Sequence, residues 1–553
     1  MAVTKKTEGK TVIYFGVDLG SDSLKVSYIV YNTATQEDKI FPLHFLDGRD
    51  CVPGYGFYDE NKNEWHFGAD MFTGQLGKFD TIVEIKKQLR LVESEEVDEK
   101  GNPLKLYETS HEFRKYGEDI QRSVRKEYKP TFSARRDTPQ TVVEKFFGYV
   151  YKERLLPMAQ RIYEAQGIAF DGKCKCVFTY PAGVSDRYKN EYRRIVEKAG
   201  FEVIRLVPEA SMAGLYAFRY FSQLNGKKAL VVDVGETRYT ASVVQFSSGI
   251  EVKRELPVAE MGGLDYDRSL GDYVKEQSGM NEELSSLRKF FFNQELKHAK
   301  ELVLANQRGI AVAYVGEATA EIYITRERFK EITAEARAKV AERIMQDVVA
   351  TKAETLVLAG GCIDSYGIRE GIRTKLKENG QGHVQIISSQ ERTHKGRSLV
   401  SLGAALLACG KYKTQLIAPL TYGVLVENVV NGIRKKEFAP IMKAGMQLPA
   451  EITHSFKTNG PKNSFNIRIY ASNCQSSDFL SGKQSTLPAD HPSLRKMMIG
   501  SLKFPYTVQA NYPLYVTVSV DEDGVGRVRA YAYRTGTQSI LAEYTSTQFE
   551  MEN

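Results

Sequence analysis

The chain contains three short runs of β-branched and other apolar residues that each end in glycine. They are TVIYFGVDLG, KALVVDVG and ETLVLAGG, and they end at Gly20, Gly235 and Gly361. Apolar runs of this length, bounded by glycine, predict buried strands. In the first two runs an aspartate, Asp18 or Asp233, stands two residues before the final glycine. The pattern therefore predicts strands whose ends carry a carboxylate and a flexible turn.

The chemistry of these strand ends suits an anion. Glycine lets the backbone come close to a phosphate, whose charge backbone N–H groups can receive. An aspartate beside the turn can bind the water molecules around a magnesium ion that is coordinated by phosphates. A single turn of this kind is usually an ordinary turn. Two of them, together with the Gly360–Gly361 pair, indicate a duplicated domain whose halves hold a nucleotide from opposite sides.

Between these strands, apolar residues at helical spacing predict several helices. A short helix is expected around TIVEIKKQLRLVE, a long one from Thr138 towards Gln166, and two more at roughly 281–307 and 326–353. The segments EASMAGLYA and SLVSLGAALLACG are rich in glycine and alanine. Because small side chains let helices approach closely, these two segments are expected to pack against each other.

The pattern changes after Tyr412. From 419 to 544, short alternating runs such as FNIRIYAS and LYVTVSVDEDG are separated by turns rich in glycine and aspartate. Alternation with a period of two predicts β-hairpins, so this part is expected to be a separate all-β domain. The predicted division is a nucleotide-binding domain over 1–411, a linker over 412–418, the β domain over 419–544 and a tail over 545–553.

Composition limits the classes of function. With 42% hydrophobic and 26% charged residues, the chain has the balance of an ordinary soluble protein. A net charge of +7 over 553 residues is mild and does not favour nucleic acid as a partner. A polar stretch over 93–136 is expected to be a solvated insertion rather than a binding arm.

Cysteine usage and the amino terminus predict the compartment. Six scattered cysteines do not form the two close pairs of a zinc site, so reduced thiols are expected. The first ten residues, MAVTKKTEGK, lack the apolar core of a signal peptide, and no window approaches 18 apolar residues. We therefore expect a cytoplasmic protein that contacts neither membrane nor nucleic acid.

The motifs occur in an order that resembles the seventy-kilodalton heat-shock chaperones, the DnaK-type members of the actin/hexokinase superfamily. FGVDLGSDSLKV is similar to that family's first phosphate loop, and DTIVEIKKQLR to the segment with its catalytic lysine, here Lys86. AGFEVIRLVPEASMAGLYAF resembles the interdomain hinge and puts its glutamate on Glu209. MGGLDYDRSL resembles a glycine pair near the phosphates, LVLAGGCIDSYGIREGI the adenosine motif, and APLTYGVLVEN the first strand of the β substrate domain.

The resemblance covers nearly the whole chain and implies a fold. That fold is an α/β two-lobed actin-like ATPase domain, made of duplicated ribonuclease-H-like subdomains, followed by an all-β sandwich substrate-binding-like domain. The chain is expected to depart from the family in having no C-terminal helical lid. ATP or ADP with magnesium would bind in the cleft between the lobes. Extended apolar segments of unfolded polypeptides would bind to the β domain. A J-domain-type co-chaperone and a nucleotide-exchange factor are further implied partners.

Carried over residue by residue, the resemblance assigns roles in the cleft. Lys86, Glu209 and Asp233 are the implied catalytic residues, and Lys86 would orient the attacking water and stabilise charge on the transferred phosphoryl group. Asp18, Glu209 and Asp233 would hold magnesium, largely through waters. The implied contacts to the nucleotide are Asp18, Gly20, Ser21, Asp22, Ser23, Gly235, Thr237, Gly262, Gly263, Lys300, Gly360 and Gly361.

The chain departs from the family's pattern in both phosphate loops. Glu236 stands where the second loop continues with glycine, and Asp22 adds a negative charge to the first loop. Thr240 cannot supply the carboxylate that the family has at that place. Because extra carboxylates repel phosphate, we expect a weakened ATPase.

Departures also occur at the adenosine site and in the linker. The adenine-stacking arginine falls on Asp364, and helix positions that contact the base fall on Lys297 and Glu301. The leucine-rich linker is reduced to Leu416 and Ile417. Such a linker predicts weak docking on the ATPase domain.

The implied peptide contacts in the β domain are Phe456, Phe465 and Ile467. Phe465 takes the place of a smaller aliphatic residue, and Glu427 falls on a position that arches over the peptide. A pocket narrowed in this way is expected to bind a different segment, or none.

Three functions remain open at this point. The first is an ATP-dependent, lidless chaperone that captures extended apolar segments. The second is a non-hydrolysing scaffold or nucleotide-sensing module with the same architecture. The third is a sugar or carboxylate kinase of the same superfamily, which the β domain disfavours.

Overall fold

The structure is a computed structural model of the chain and describes most of its residues. The described ranges are 10–59, 62–68, 81–91, 137, 139–182, 184, 186–247, 249–280, 284, 286–306, 308–315, 318–364, 367–388, 396–418, 420–430, 433–472, 486–491 and 494–546. The predicted insertion over 93–136 lies outside these ranges, as does most of the predicted tail over 545–553.

Within the described ranges, the first unit of the fold has nine strands and the helices around them. The strands are β1 (Thr11–Leu19), β2 (Ser23–Asn32), β3 (Asp38–Pro42), β4 (Val52–Pro53), β5 (Tyr55–Asp59), β6 (Glu64–Phe67), β7 (Thr81–Glu84), β8 (Lys175–Tyr180) and β9 (Glu202–Pro208). The helices are α1 (Ile85–Leu91), α2 (Pro139–Tyr149), α3 (Leu156–Ala165), α4 (Asp186–Ala199) and α5 (Glu209–Tyr220).

The main sheet of this unit has the order β3-β2-β1-β8-β9, with β4 beside β2. Strand β1 pairs antiparallel with β2 and parallel with β8. The first glycine-bounded run is therefore the central strand, and Asp18 lies near its carboxyl end. In the β1–β2 hairpin, Asp18 is the register partner of Lys25. A second sheet of three strands has the order β6-β5-β7.

Two of the predicted helices in this unit differ from the structure. The residues TIVE, expected at the start of a helix, form strand β7, which pairs with β5. Only Ile85–Leu91 is helical there. The long helix expected from Thr138 towards Gln166 contains a π-helical segment, Val150–Leu155, between α2 and α3.

The second unit alternates a sheet with long helices. Its strands are β10 (Lys228–Val234), β11 (Tyr239–Phe246), β12 (Gly249–Glu255), β13 (Arg308–Val315), β14 (Ala318–Thr325), β15 (Thr355–Ala359), β16 (Gln385–Ser388) and β17 (Lys413–Gln415). Its helices are α6 (Gly263–Ser278), α7 (Ser286–Asn306), α8 (Arg326–Ile332), α9 (Ala334–Thr351), α10 (Ile368–Glu378) and α11 (Leu399–Ala408). Across the described ranges, no helix has the length and apolar character needed to cross a membrane.

The main sheet of the second unit repeats the arrangement of the first. Its order is β16-β15-β10-β11-β12-β17. The central strand β10 pairs antiparallel with β11 and parallel with β15, as β1 does with β2 and β8. Each sheet thus places an Asp-x-Gly turn at the carboxyl end of a central strand, and β13 and β14 form a separate hairpin.

The last part of the described chain contains only strands as regular structure. They are β18 (Thr421–Val430), β19 (Ile433–Met442), β20 (Ala450–Lys457), β21 (Lys462–Ser472), β22 (Leu487–Pro488), β23 (Leu494–Val508), β24 (Pro513–Val520), β25 (Gly526–Tyr533) and β26 (Ile540–Ser546). They form two sheets, with the orders β22-β19-β18-β21-β23 and β20-β24-β25-β26. Apolar residues of both sheets belong to one buried cluster.

The segment predicted to be the interdomain linker, over 412–418, is docked on the second unit. Within it, β17 adds to the edge of the second unit's sheet by pairing in parallel with β12. Leu416 is buried, and its carbonyl oxygen accepts a hydrogen bond from Leu448 N–H of the β part. The backbone of β17 thus supplies strand pairing in addition to the apolar side chains of Leu416 and Ile417.

A turn of the β part also contacts the first unit. Asp523, between β24 and β25, lies 2.5 Å from Arg193 Nη2 and 3.4 Å from Arg205 Nε. Lys189 donates to the carbonyl oxygen of Gly524 at 2.7 Å. Basic side chains of α4 and β9 therefore hold an acidic turn of the β part.

Helices α5 and α11 pack closely, as their glycines and alanines predict. Every residue of α11 is buried. A methyl group at Gly403 would clash with the carbonyl oxygen of Met212 in α5, and one at Gly16 in β1 would clash with the backbone at Ser401. These glycines allow backbone to touch backbone at the junction of the two units.

We expect Gly403→Ala to lower the free energy of unfolding by about 3 kcal/mol, because the added methyl group must push two buried helices apart. The matched control is Gly371→Ala in α10, where a methyl group meets nothing within 4 Å. That change should be neutral or stabilise by up to about 1 kcal/mol, since alanine favours helix. Urea unfolding followed by circular dichroism measures both; equal effects of the two changes would contradict the packing argument.

Candidate functional site

The carboxyl ends of β1 and β10 bring acidic and basic side chains together. Asp18 comes from β1, Asp233 from β10, Glu209 from the first turn of α5 and Lys86 from α1. All four come from segments far apart in the chain. The charges of Glu209, Asp18 and Lys86 all act on the Asp233 carboxyl, so the four groups lie close together, at a place between the two units that we call the cleft.

Lys86 and Glu209 form a buried ion pair. Lys86 Nζ donates to Glu209 Oε1 at 2.9 Å, and both side chains are 10% exposed. Burial raises the pKa of Glu209; Lys86 opposes this shift, and the Asp18 carboxylate adds to it. The contact fixes the position of the Lys86 ammonium group in the cleft.

A second lysine, which sequence reasoning missed, lies beside Asp18. Lys25 Nζ is 3.9 Å from Asp18 Oδ2, while Thr179 donates to Asp18 Oδ1 at 2.9 Å. Burial lowers the pKa of Lys25, but the carboxylates around it, that of Asp18 first, outweigh this and raise the pKa overall. The β-hairpin register that pairs Asp18 with Lys25 is the sequence signal that could have identified it.

The pKa of the Asp233 carboxyl is strongly perturbed. Burial raises its pKa to about 7, with further contributions from the charges of Glu209 and Asp18, against the lowering effect of Lys86 and Lys25. Near neutral pH this carboxyl therefore exchanges a proton readily. A group with such a pKa can act as a proton acceptor or donor.

Glycine turns surround these charges. Gly360 has φ +93°, and a methyl group there would lie 2.5 Å from Asp233 Oδ1, so only glycine fits. A side chain at Gly262 would clash with the carbonyl oxygen of Gly235, and Gly263 N–H donates to that oxygen at 3.1 Å. A methyl group added at Gly20 would lie only 2.4 Å from Lys25 Nζ. The glycine therefore leaves room for the Lys25 ammonium group.

The two predicted phosphate loops touch each other. Ser21 Oγ and Thr237 Oγ1 share a hydrogen bond of 2.8 Å. Lys297 Nζ of α7 lies 2.6 Å from Asp22 Oδ1 and 2.5 Å from Glu236 Oε1. The two carboxylates that depart from the family's pattern therefore share one ammonium group.

Other predicted positions lie around this centre. Lys300 Nζ pairs with Asp267 Oδ1 at 2.6 Å, within the second unit. Thr240 lies opposite Asp233 in the strand register, and its buried hydroxyl has no hydrogen-bond partner in the described part of the chain. Glu301 accepts from Arg397 at 3.3 Å. The side chain of Asp364 lies outside the described residues.

The predicted peptide contacts lie in the β part, away from the cleft. Phe465 and Ile467 are on β21, and Phe456 is on β20 of the other sheet. Ile467 is buried, and Phe465 and Phe456 pack against the same cluster. Phe465 also makes an edge-to-face contact with Phe504 at 5.8 Å between ring centroids. The three side chains thus contribute to the core of the β part.

The cleft suits a nucleotide with a water-bridged magnesium ion better than a directly ligated metal. Among the described residues, no group of three or more His, Cys, Asp or Glu side chains is arranged to hold a metal ion. Asp18 and Glu209 already contact ammonium groups. The glycine turns, however, leave room beside these carboxylates. Asp18, Glu209 and Asp233 therefore fit an ion held through its hydration shell.

We expect the Asp233 carboxyl to make stability depend on pH. Between pH 4 and about 7, folded Asp233 keeps a proton that the unfolded chain has lost, so stability falls as pH rises through this window. Asp233→Asn stays neutral and should gain about 3 kcal/mol over the wild type between pH 5 and pH 8, at about 1.4 kcal/mol per unit up to pH 7. Urea unfolding in EDTA measures this gain.

The matched control for that prediction is Asp171→Asn, whose carboxyl is exposed. Its effect on the free energy of unfolding should be the same at pH 5 and pH 8. If Asp233→Asn behaves like this control, the buried carboxyl is not the source of the dependence.

One comparison with known proteins bears on this cleft. Residues 166–373 match the family model described as Hsp70 protein. The matched range contains Glu209, Asp233, the Gly262–Gly263 pair, Lys300 and Gly360. The match over this region supports the Hsp70 family and, with it, a chaperone-like, ATP-binding protein.

Proposed function

We propose that the protein is a chaperone-like ATPase with attenuated hydrolysis. It would bind ATP or ADP with magnesium in the cleft and extended apolar polypeptide segments in the β part. The observation that carries the proposal is the Lys86–Glu209 ion pair, which lies with Asp18 and Asp233 between glycine turns of two matching sheets. We also propose that those two sheets are duplicated subdomains.

The residues of the cleft would have different roles in the proposed reaction. Asp18, Glu209 and Asp233 would hold magnesium through waters, and the ion would neutralise phosphate charge. Lys86, fixed by Glu209, would orient the attacking water and stabilise charge that develops on the phosphoryl group. Asp233 would take up the proton that the water releases.

Three substitutions support a slow reaction. Thr240 supplies a hydroxyl, not a carboxylate, opposite Asp233. Asp22 and Glu236 place two carboxylates at the loops, where they would repel phosphate. Loss of one electrostatic partner of a transition state costs about 3 kcal/mol, or roughly a hundredfold in rate.

We expect Lys86→Ala to abolish the remaining hydrolysis while nucleotide binding persists, because the ammonium group acts on the transition state. Steady-state phosphate release and calorimetric titration with ATP and magnesium measure the two properties. Lys87→Ala is the matched control, since Lys87 is the next residue of α1, is 44% exposed and pairs with Glu84. It should keep the wild-type rate. Turnover by the Lys86 variant at that rate would refute the assignment, and brisk wild-type turnover would refute attenuation.

The second candidate is a non-hydrolysing scaffold or nucleotide-sensing module. The Lys297 ammonium group, shared by Asp22 and Glu236, favours it, because this contact occupies the loops that would hold phosphates. Nucleotide binding without any turnover, in both wild type and Lys86→Ala, would select this candidate.

The β part would communicate with the cleft through its docked contacts. We expect Asp523→Asn to release it from α4 and β9, because Arg193 and Arg205 lose their carboxylate partner and buried charges are costly to leave unpaired. The ratio of undocked to docked molecules should rise about tenfold. Small-angle scattering measures this as a larger radius of gyration, and anisotropy with apolar peptides measures the affinity with and without ATP.

The matched control for docking is Glu522→Gln, which removes one charge from the exposed neighbouring side chain. It should leave the radius of gyration unchanged. A compact Asp523→Asn variant whose peptide affinity still responds to ATP would argue against this turn as the coupling contact.

The proposed partners are unfolded polypeptide segments and, by family resemblance, a J-domain-type co-chaperone or a nucleotide-exchange factor. The proposed location is the cytoplasm. Free thiols support it, since the five cysteines in the described part of the chain form no disulfide.

A further inference from the structure

Lys297 bridges the two halves of the cleft. It lies on α7 in the second unit, and its ammonium group contacts Asp22, in the turn between β1 and β2, and Glu236, in the turn after β10. It also donates to the hydroxyl of Tyr55, on β5 of the first unit, at 2.6 Å. Asp22 and Tyr55 belong to one unit, and Lys297 and Glu236 to the other. Protein groups therefore connect the units at this point.

This bridge is shielded from solvent. The side chains of Lys297 and Glu236 are 15% and 14% exposed, and only Asp22 is half-exposed. Charged hydrogen bonds in such surroundings are stronger than on an open surface, and removing one partner leaves an uncompensated buried charge. The ammonium group also lies 5.1 Å from the centroid of the Tyr55 ring. The bridge is thus more than an exposed ion pair.

Other contacts close the same cleft beside Lys297. Ser21 bonds to Thr237 between the loops. The rings of Tyr55 and Phe290 meet edge-to-face at 5.3 Å, the latter from α7. These contacts are polar and apolar, and all of them join the first unit to the second.

The carboxylates of the bridge offer an ammonium group the same atoms that a phosphate would offer. A phosphate group is also an anion with oxygen acceptors, and it would be held at the same two loops. In an actin-like cleft filled by nucleotide, bound phosphates would join the loops. Here Asp22 and Glu236 already do so through Lys297.

We infer that the Asp22–Lys297–Glu236 bridge closes the cleft from within, so that the two units come together without bound nucleotide. A nucleotide would then have to displace one carboxylate from Lys297 before its phosphates reach both loops. The second statement rests on the proposed function, whereas the first concerns the protein alone.

The experiment measures the distance between the units in the absence of nucleotide. Donor and acceptor dyes are attached through unnatural amino acids at Lys62, in the β5–β6 turn, and at Tyr323, on β14; both side chains are exposed. Single-molecule energy transfer in EDTA then gives the ratio of open to closed molecules. The wild type should be predominantly closed, and Lys297→Met should raise the ratio about tenfold, as loss of a coupling contact of ordinary strength does.

Two further variants keep the result interpretable. Asp22→Asn is mild, since Asp22 lies in a half-exposed turn, and it should open the cleft in the same direction as Lys297→Met. Combined with Lys297→Met it should add little, because both changes remove one contact. Lys300→Met is the matched control for distance: it removes a lysine from the same helix, but its partner Asp267 lies in the same unit. It should leave the cleft closed.

A wild type that is mostly open in EDTA and closes only with ATP and magnesium would overturn the inference. A Lys297→Met protein that stays as closed as the Lys300→Met control would overturn it too. Failure of wild-type protein to bind ATP in calorimetry would instead refute the proposed function, and leaves the distance result standing. Where ATP does bind, Asp22→Asn should bind it about tenfold more tightly.

Discussion

The rest of the structure depends on charges that are buried together at the carboxyl ends of β1 and β10. The buried Asp18, Glu209 and Lys86 lie with the half-buried Asp233 and Lys25, and burial of one charge without a partner would cost several kcal/mol. They are tolerated because carboxylates and ammonium groups alternate in the cleft. The arrangement leaves a pKa of about 7 on Asp233. Because Asp18 and Asp233 lie near the ends of β1 and β10, these two strands must end close to each other.

Close backbone contact between helices brings those strand ends together. Gly403 lets α11 touch α5, and Gly16 lets β1 touch α11. Larger residues at these positions would separate the two sheets and with them the charged side chains. Packing at the glycines and electrostatics at the cleft are thus parts of one constraint, since charges separated by a few ångströms more would lose their partners.

The same charges limit what the cleft can do. Lys86 is fixed in place by Glu209, whereas Lys297 is held by Asp22 and Glu236. The first pair is the basis of the proposed reaction, and the second set of contacts is the basis of the proposed closure of the cleft. Strand β17, which pairs with β12, and the turn at Asp523, which forms an ion pair with Arg193, connect the two units to the β part.

The sequence by itself determined the glycine-bounded strands, the change to β-hairpins after Tyr412 and the close pair of small-residue helices, because each is a local pattern. It also indicated Lys86 and Glu209 through a resemblance. Only the tertiary structure decided that TIVE is a strand, that β17 docks, and that Lys25 and Lys297 join the cleft. The physical reason is that strand pairing and ion pairing depend on partners distant in the chain, and local spacing does not identify those partners.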